Sequence, residues 1–470
     1  MKISIFPLTA LVGAVALVAG CADLNPSAKS LDARSLKADA TLAGASISQA
    51  AWPDRNWWQR YSDPQLNLLV DEALSSSPNM RIAEARVRQA AAVTGMMGAL
   101  QSPQMTAGAR SNRVEFSENS NVPSPLAGSW KWSNEATLNF SYELDFWGKN
   151  RSAVDAVLDR QKAVEVESHA ARLMLTVGMA QTYLKLSQLY AQRELAESVL
   201  ADRQQILALT RQRVASQLDS QADLKQAELA IPLAKADIAV ASEGIALVRS
   251  QLAALMGAGP DRGLAITRPR LQTLKPTAVP SLLPSELIAR RPDVVAQRWR
   301  VEALHKDIDT TKAQFYPSIN LNALVGLQSL GFSKFLEPGS GIVGTGGALS
   351  LPIFDGGRLR NTLALRNAEY DLAVEAYNQT LIEAVRDVTS QLLSIQWLAE
   401  RDRLQTDAIS AAQQAYALSM QRYRAGLGSY LQVLASQLQV FAQQRAQIEL
   451  DIRAFDLDMQ LARSLGGGYQ

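Results

Sequence analysis

The side chains most often used in enzyme chemistry are few in this chain of 470 residues. It has two histidines, His169 and His305, and one cysteine, Cys21. Each histidine stands alone in a helical pattern, which is typical of a packed or solvated position. The sequence contains no HExxH, CxxC, GxxxxGK[ST] or GxSxG motif. We therefore expect no catalytic residue, no metal and no cofactor, and interpret the chain as a protein that is not an enzyme.

Cys21 has the clearest chemical role. Residues 1–20 have a positive start at Lys2 and an apolar stretch that is too short for a membrane span. They lead into Leu-Val-Ala-Gly-Cys, which resembles the cleavage site of a bacterial lipoprotein signal. The resemblance implies that residues 1–20 are removed and that the Cys21 thiol carries a diacylglyceryl anchor. Ala22 follows, and in lipoproteins a residue other than Asp there favours the outer membrane. The alternative is an ordinary secreted chain with a chance cysteine.

Overall charge excludes one class of partner. The 47 basic and 45 acidic side chains leave a net charge of +2, so no strong field favours nucleic acid. Residues 21–77 begin as a polar tether. They then hold the tryptophan cluster 52–58, which we expect to pack a peripheral segment against helices rather than to bind a ligand.

Two strand-to-helix corners organise the remaining chain. An alternating apolar run turns at the Asp-containing segments 144–151 and 351–358, and each turn leads into a long stretch without Pro. These stretches predict helices over 150–213 and 357–424. At 1.5 Å per residue, each is roughly 90 Å long.

Landmark residues of the first half of the chain recur in the second half. The matching pairs are 214, 214 and 209 positions apart: Pro78 and Pro292, Pro103 and Pro317, Ser220 and Ser429. This spacing predicts a duplicated unit. The predicted segments are tether 21–77; first repeat 78–256, with a strand pair in 103–146 and helices 150–213 and 221–256; linker 257–291; and second repeat 292–470, with a strand pair in 317–354 and helices 357–424 and 429–465.

The predicted strands have one apolar and one polar face. In 135–146, Leu138, Phe140 and Tyr142 alternate with polar residues. Such a face packs on a core or meets lipid. Four strands cannot close a membrane barrel, and an open sheet edge in lipid leaves backbone groups unsatisfied. Strands that meet lipid must therefore be pooled from several chains.

Two long-helix features yield further expectations. Pro232 lies inside the predicted helix 221–256, so we expect a kink or break there. The last helix has apolar residues at steps of three and four, which predicts a coiled-coil seam against another long helix. The seam residues are Leu431, Leu434, Leu438, Phe441, Ile448, Ile452, Phe455 and Met459.

Four motifs together resemble the TolC-like outer membrane factor family, in its NodT-type efflux lipoprotein branch. They are Arg290-Arg291-Pro292-Asp293-Val294, Phe315-Tyr316-Pro317-Ser318, Leu351-Pro352-Ile353-Phe354-Asp355-Gly356-Gly357-Arg358 and Arg422-Tyr423-Arg424-Ala425-Gly426-Leu427-Gly428-Ser429. The resemblance implies a mainly α fold with membrane β structure. In it, a homotrimer pools four strands per chain into a 12-stranded β-barrel, continued by a long α-helical barrel in the periplasm.

The resemblance also implies site residues at the turns between the paired long helices. Asp223 and Tyr423 match positions of the periplasmic gate, and Gly426 and Leu427 match the tip that contacts a periplasmic adaptor. The first-half copy has Gln217-Leu218 and thus lacks the Gly. An acidic ring in a pore attracts cations, and a tyrosine hydroxyl can join neighbouring helices.

The resemblance implies a passive outer membrane exit duct for drugs or other small toxic compounds. Its partners would be two further copies of the chain, a periplasmic adaptor (membrane fusion) protein, an inner-membrane pump of the resistance-nodulation-division or major facilitator type, and outer membrane lipid. The protein would be lipid-anchored, with a large periplasmic part. Protein secretion, a structural coiled-coil envelope lipoprotein and a periplasmic enzyme are the alternatives.

Overall fold

The computed structural model describes residues 53–272 and 290–469. The predicted signal 1–20, Cys21, most of the tether and residues 273–289 of the linker lie outside the described residues. The chain divides into two compact units. In the described residues, the first unit comprises 87–164 and 297–377, and the second comprises 53–86, 165–272, 290–296 and 378–469.

The first unit contains a four-stranded antiparallel sheet. Its strands lie side by side in chain order: β1 (Gln104–Glu115), β2 (Trp130–Leu144), β3 (Ser318–Leu330) and β4 (Gly341–Ser350). Each half of the chain supplies one hairpin, and β2 pairs with β3 to join the halves. Within this sheet, β1 and β4 are therefore edge strands with one unpaired side.

Across the middle of this sheet, one face is apolar from edge to edge. The register aligns Ala107 with Leu138, Leu138 with Val325, and Val325 with Val343. The predicted alternation of β2 is confirmed, because Leu138 lies in this row and Phe140 lies in the next apolar row, between Met105 and Ala323. This apolar face is open in the single chain: Val325 is 51% exposed and Val343 is 80% exposed.

The strand ends differ from the predictions. We expected β2 at 135–146, but it starts earlier, at Trp130, and ends at Leu144. We expected the last strand to run to Phe354, but β4 ends at Ser350, opposite Ser318. The reason is that Pro352 has no backbone N–H and cannot continue the ladder.

Seven α-helices of more than ten residues lie in the described residues. They are α1 (Pro64–Ser76), α2 (Pro78–Gly98), α3 (Lys149–Ala215), α4 (Gln221–Leu255), α5 (Pro292–Ala313), α6 (Arg358–Arg424) and α7 (Tyr430–Ser464). The bounds of the four long helices differ from the predicted ones by at most two residues. None of the helices described is both long enough and apolar enough to cross a membrane.

An aspartate caps each long helix at the corner where it follows a strand. Asp145 Oδ2 accepts the N–H of Arg151 at 2.8 Å, and Asp355 Oδ2 accepts the N–H of Leu359 at 2.8 Å. Free N–H groups at a helix start need such acceptors. The repeated Asp therefore starts α3 and α6 in the same way.

Helix α4 does not break at Pro232. It is helical from Gln221 to Leu255 with the proline inside. Pro232 is exposed, so the backbone carbonyl that it leaves without a partner can bind water. The expected break is therefore wrong, and the alternative of a kink stays a prediction.

The aromatic segment before α1 forms part of the core of the second unit. Trp57 and Trp58 are 4% and 1% exposed and pack in one cluster with Tyr183 of α3 and Leu252 of α4. The predicted packing role is confirmed for these two tryptophans. The Tyr61 hydroxyl also donates to Asp458 of α7 at 2.8 Å, which ties the segment to the last helix.

The seam predicted on α7 is only partly buried within one chain. Near its start the buried side chains are Tyr430, Val433, Gln437 and Val440. Leu431 and Leu438 of the predicted seam are 60% and 48% exposed instead. The packed face is therefore rotated from the expected one, and an apolar strip remains open.

Candidate gate at the turns between the long helices

The two turns that end α3 and α6 have the same backbone hydrogen bonds. In the first turn, the N–H of Leu218 donates to the carbonyl of Arg213 at 2.8 Å. In the second, the N–H of Leu427 donates to the carbonyl of Arg422 at 2.8 Å. This pattern is the Schellman motif, which ends a helix with one left-handed residue.

The left-handed residue is a glycine in one turn only. Gly426 has φ +77°, and Gln217 takes the same place in the first turn with φ +61°. A side chain in this conformation costs about 1 kcal/mol. The missing glycine therefore strains the first turn but leaves its hydrogen bonds unchanged. The leucines that follow the left-handed residues, Leu218 and Leu427, are 64% and 72% exposed.

Asp223 belongs to the cap of α4. The N–H of Asp223 donates to Ser220 Oγ at 3.2 Å, and Asp223 Oδ2 accepts the N–H of Ser220 at 3.1 Å. This reciprocal pair is a capping box. Its carboxylate is therefore engaged at its own helix start, and no hydrogen bond joins it to Tyr423 within the described chain.

Tyr423, near the end of α6, is fully buried and joins α6 to the first turn. Its hydroxyl donates to Asp219 Oδ2 at 2.5 Å and lies 3.0 Å from Thr210 Oγ1 on α3. The ring packs with Ile206, Tyr430 and other apolar side chains. The hydroxyl is thus held at the meeting point of three segments.

Arg213 completes a closed network around this tyrosine. Its Nε donates to Asp219 Oδ2 at 2.9 Å and its Nη2 to Asp219 Oδ1 at 3.1 Å, a two-point pair. Its Nη1 donates to the carbonyl of Tyr423 at 2.8 Å, and the guanidinium lies 4.4 Å from the centre of the Tyr423 ring. We name Thr210, Arg213, Asp219 and Tyr423 the tip network.

The environment fixes the protonation states of the tip network. Burial and the hydrogen bond to Asp219 raise the pKa of Tyr423 to about 12. Burial works against the charge of Asp219, but the hydrogen bonds from Arg213 and Tyr423 still lower its pKa below the ordinary value. The hydrogen bond to Asp219 raises the pKa of Arg213. At neutral pH the network is therefore an ion pair with a neutral tyrosine donor.

Motif reasoning identified one member of the tip network, Tyr423, and missed Thr210, Arg213 and Asp219. The sequence signal for the ion pair was an Arg and an Asp six positions apart across a predicted turn. At this spacing the two side chains meet only because the turn reverses the chain between them. Cys21 lies outside the described residues, so lipid attachment there stays a prediction. The gate role of Asp223 and Tyr423 and the adaptor contact of Gly426 and Leu427 also stay predictions.

Comparison with known proteins places this geometry in one family. The family model described as outer membrane efflux protein matches residues 69–258 and 283–467. The chain belongs to the outer membrane efflux protein family. The matched segments contain the complete sheet, both turns and the tip network.

Relatives and solved structures agree with this assignment. The chain is 39% identical over 368 residues to the fusaric acid resistance protein FusA of Burkholderia cepacia, covering 77% of this chain and 69% of FusA. It is 31% identical over 473 residues to the multidrug resistance outer membrane protein MdtP of Escherichia coli K12, covering 98% and 96%. The outer membrane protein VceC of Vibrio cholerae is similar in structure, with a TM-score of 0.85, 36% identity and coverage of 89% and 100%.

A more distant structure shares the fold. The CmeC outer membrane channel of Campylobacter jejuni has a TM-score of 0.86 at 22% identity, covering 95% of both chains. The expected fold class, a mainly helical TolC-like chain with a small antiparallel sheet, is therefore confirmed. This outer membrane efflux protein is a channel component, and the outer membrane is its location.

Proposed function

We propose that three copies of this chain form a passive exit duct for small toxic compounds across the outer membrane. FusA and MdtP carry names of resistance proteins, which supports a toxic small-molecule cargo. In this proposal the duct performs no chemistry. An inner-membrane pump of the resistance-nodulation-division or major facilitator type supplies the energy, and a periplasmic adaptor joins the two.

The sheet is the observation that carries the proposal. It has an apolar face that is open in the single chain and an unpaired edge on β1 and on β4. Lipid offers no hydrogen-bond partner to such edges. Three copies that pair β1 of one with β4 of the next give a closed sheet of twelve strands. The apolar face then meets lipid, together with the acyl chains expected on Cys21.

The tip network supports a gate at the turns. It holds the end of α6 to the first turn through one ion pair and one tyrosine hydroxyl. Most of this network is buried, where breaking an ion pair is costly. In our proposal the network holds the tip in its closed arrangement, and Asp223 sets the charge near the entrance.

Two exposed leucines support an adaptor contact at the same turns. Leu218 and Leu427 extend from matching positions of the two turns, and Gly426 gives the second turn its shape. The pair Leu218→Asp and Leu427→Asp should abolish drug resistance in cells while conductance of the purified channel stays normal. Normal resistance in this variant would remove the two leucines from the adaptor surface.

Planar-bilayer conductance of the detergent-purified protein, with its oligomer mass measured on the same sample, tests the proposal. A trimer with small or flickering openings is expected from a duct closed at its tip. A monomer without conductance would contradict the channel assembly.

A further inference from the structure

A basic cleft in the second unit lies apart from the sheet and the tip network. It has a volume of about 250 Å³ and is formed by three distant segments: residues 54–55, one face of α3, and the loop 466–469 after α7. Its charged lining consists of Arg55, His169 and Arg172 against a single carboxylate, Asp54. Neither the sheet nor the proposed gate uses this cleft.

Neither arginine of the cleft has a carboxylate within ion-pair distance among the described residues, although Asp71 attracts Arg172 from farther away. Arg172 instead donates to Asn56 Oδ1 at 3.4 Å, and its guanidinium lies 5.8 Å from the centre of the Trp58 ring. Arginines elsewhere in the described residues commonly form ion pairs, such as Arg262 with Glu72 at 2.7 Å. Two guanidinium groups that face one cleft repel each other, so the site favours an incoming negative charge.

Partial burial and neighbouring charges shift the pKa of two side chains of the cleft. Partial burial, then Arg55 and Arg172, lower the pKa of His169, although Glu165 acts in the opposite direction. Partial burial and Arg55 likewise lower the pKa of Arg172, against the attraction of Asp71. Tyr469 packs on the His169 ring at 5.3 Å between ring centres. The lining of the cleft therefore holds more basic than acidic side chains, with Asp71 and Glu165 as further carboxylates nearby.

Glycines bring the loop 466–469 tightly onto the cleft. A Cβ on Gly468 would lie 2.3 Å from the backbone nitrogen of Arg55, and one on Gly467 would lie 2.1 Å from Leu173 Cδ1. Both residues also have positive φ, of +79° and +56°. Only glycine fits such a close approach. The loop 466–469 therefore packs directly against the backbone of Arg55 and fixes the shape of this wall of the cleft.

We propose that this cleft binds a compact oxyanion, a phosphate-type or carboxylate group, between Arg55 and Arg172. Guanidinium groups bind such anions with charge-assisted hydrogen bonds in fixed geometry. All of its lining residues belong to the second unit of a single chain, so the proposal does not rest on the proposed transport function. The group belongs either to a free anion or to a cell-wall peptide.

Calorimetric titration of the full-length detergent-purified protein with sulfate, at constant ionic strength, tests the site. Saturable binding with one site per chain is expected. The double variant Arg55→Gln and Arg172→Gln should weaken binding about tenfold or more. The matched pair Arg403→Gln and Arg445→Gln, at exposed positions, should bind like the unmodified protein. Non-saturable heat, or equal loss in both double variants, would overturn the proposal.

Two additional variants keep the test decisive. Gly468→Ala should also weaken sulfate binding, because its Cβ displaces the backbone of Arg55. Arg55→Gln alone serves if the double variant fails to assemble, since Arg55 is exposed. Full binding by both single variants would contradict the geometry.

His169 gives a second, independent readout. A bound anion favours its charged form, so sulfate affinity should rise from about pH 8 to about pH 6, and His169→Gln should remove this rise. Soluble cell-wall muropeptides are then added as competitors. Displacement of sulfate assigns the site to cell-wall carboxylates, and no displacement assigns it to a free anion. A pH-independent affinity in the unmodified protein would exclude His169 from the site.

Discussion

At the scale of single residues, Asp219 holds the tip network together. It accepts two hydrogen bonds from Arg213 and one from Tyr423, so three donors converge on one carboxylate. The side chains of Arg213 and Asp219 are only 10% and 8% exposed. Loss of either charge would leave the other buried without a partner. Tyr423 contributes a neutral hydroxyl and a packed ring.

We predict that Asp219→Asn loosens the tip. The change leaves the Arg213 charge buried without its counter-ion, which costs about 3 kcal/mol. Single-channel recordings should therefore show longer and larger openings. The control is Glu228→Gln, which removes a more exposed carboxylate that pairs with Arg211 at 3.6 Å. Conductance equal to that of the control would remove Asp219 from the gate.

We predict that Tyr423→Phe has a smaller effect in the same direction. The ring and its packing remain, and only the hydroxyl that binds Asp219 and Thr210 is lost. The expected cost is about 1 kcal/mol, typical of a hydrogen bond between groups that keep other partners. Open probability should lie between those of the unmodified channel and Asp219→Asn. If Tyr423→Phe raised the open probability more than Asp219→Asn, the hydroxyl and not the ion pair would be the stronger contact of the tip network.

The pKa of each group sets the pH range over which the network persists. The pKa of Asp219 is lowered on folding, so its contribution is complete above the ordinary Asp value and is lost as the pH falls through the folded value. The pKa of Tyr423 is raised to about 12, so its hydroxyl stays a donor below that pH. Conductance should therefore be constant between about pH 5 and pH 9 and rise in stronger acid. An opening transition near pH 7 would indicate another titrating group.

At the scale of elements, the two turns have the same backbone shape but different residues at the left-handed position. Each must reverse the chain between two long helices, and each uses a left-handed residue after the last helical turn. Glycine does so without strain, while Gln217 has a β-carbon that crowds the backbone. The first turn keeps its shape because the ion pair between Arg213 and Asp219 spans it.

We predict opposite effects of glycine substitutions at these turns. Gly426→Ala should lower the free energy of unfolding by about 1 kcal/mol, because Ala resists φ > 0. Gln217→Gly should leave it equal or slightly higher. Gly259→Ala is the control, since its β-carbon would meet open space. Thermal unfolding in detergent measures all three. Destabilisation by Gln217→Gly would mean that the Gln side chain has a contact role of its own.

At the scale of the whole molecule, the single chain leaves apolar surface open on its helices as well as on its sheet. On α4 the exposed residues are spaced by four, seven and seven positions: Leu229, Leu233, Val240 and Leu247. This spacing is the seam of a coiled coil. On α7, Leu431 and Leu438 form a similar open strip. Burial of these strips against other copies agrees with the proposed trimer.

We predict that the α4 strip is required for assembly. The double variant Val240→Glu and Leu247→Glu places two charges on the seam and should prevent the trimer from forming, because buried charges without partners are costly. Lys235→Glu, on the same helix, changes the net charge by the same amount at an exposed polar position and should not. Mass measurement in detergent separates the two. A stable trimer of the double variant would show that the strip faces solvent.

Sequence alone determined the elements that depend on local pattern. The two long-helix pairs, the duplicated corners and the apolar face of β2 all follow from periodicity and from Pro, Gly and Asp at fixed places. These signals act within a few residues of the chain. The packing of Trp57 and Trp58 was likewise predicted from a local signal, the tryptophan cluster 52–58.

Only the tertiary structure decided which side chains meet across long sequence separations. Tyr423 donates to Asp219 rather than to Asp223, because the relative position of the two helix ends brings its hydroxyl next to Asp219. The carboxylate of Asp223 is already bound in the capping box of α4. The buried face of α7 is rotated from the predicted seam. The sequence pattern does not distinguish an apolar strip that packs within the chain from one left open for the proposed trimer. Pairing energies of this kind depend on distance in space, which a local sequence pattern does not encode.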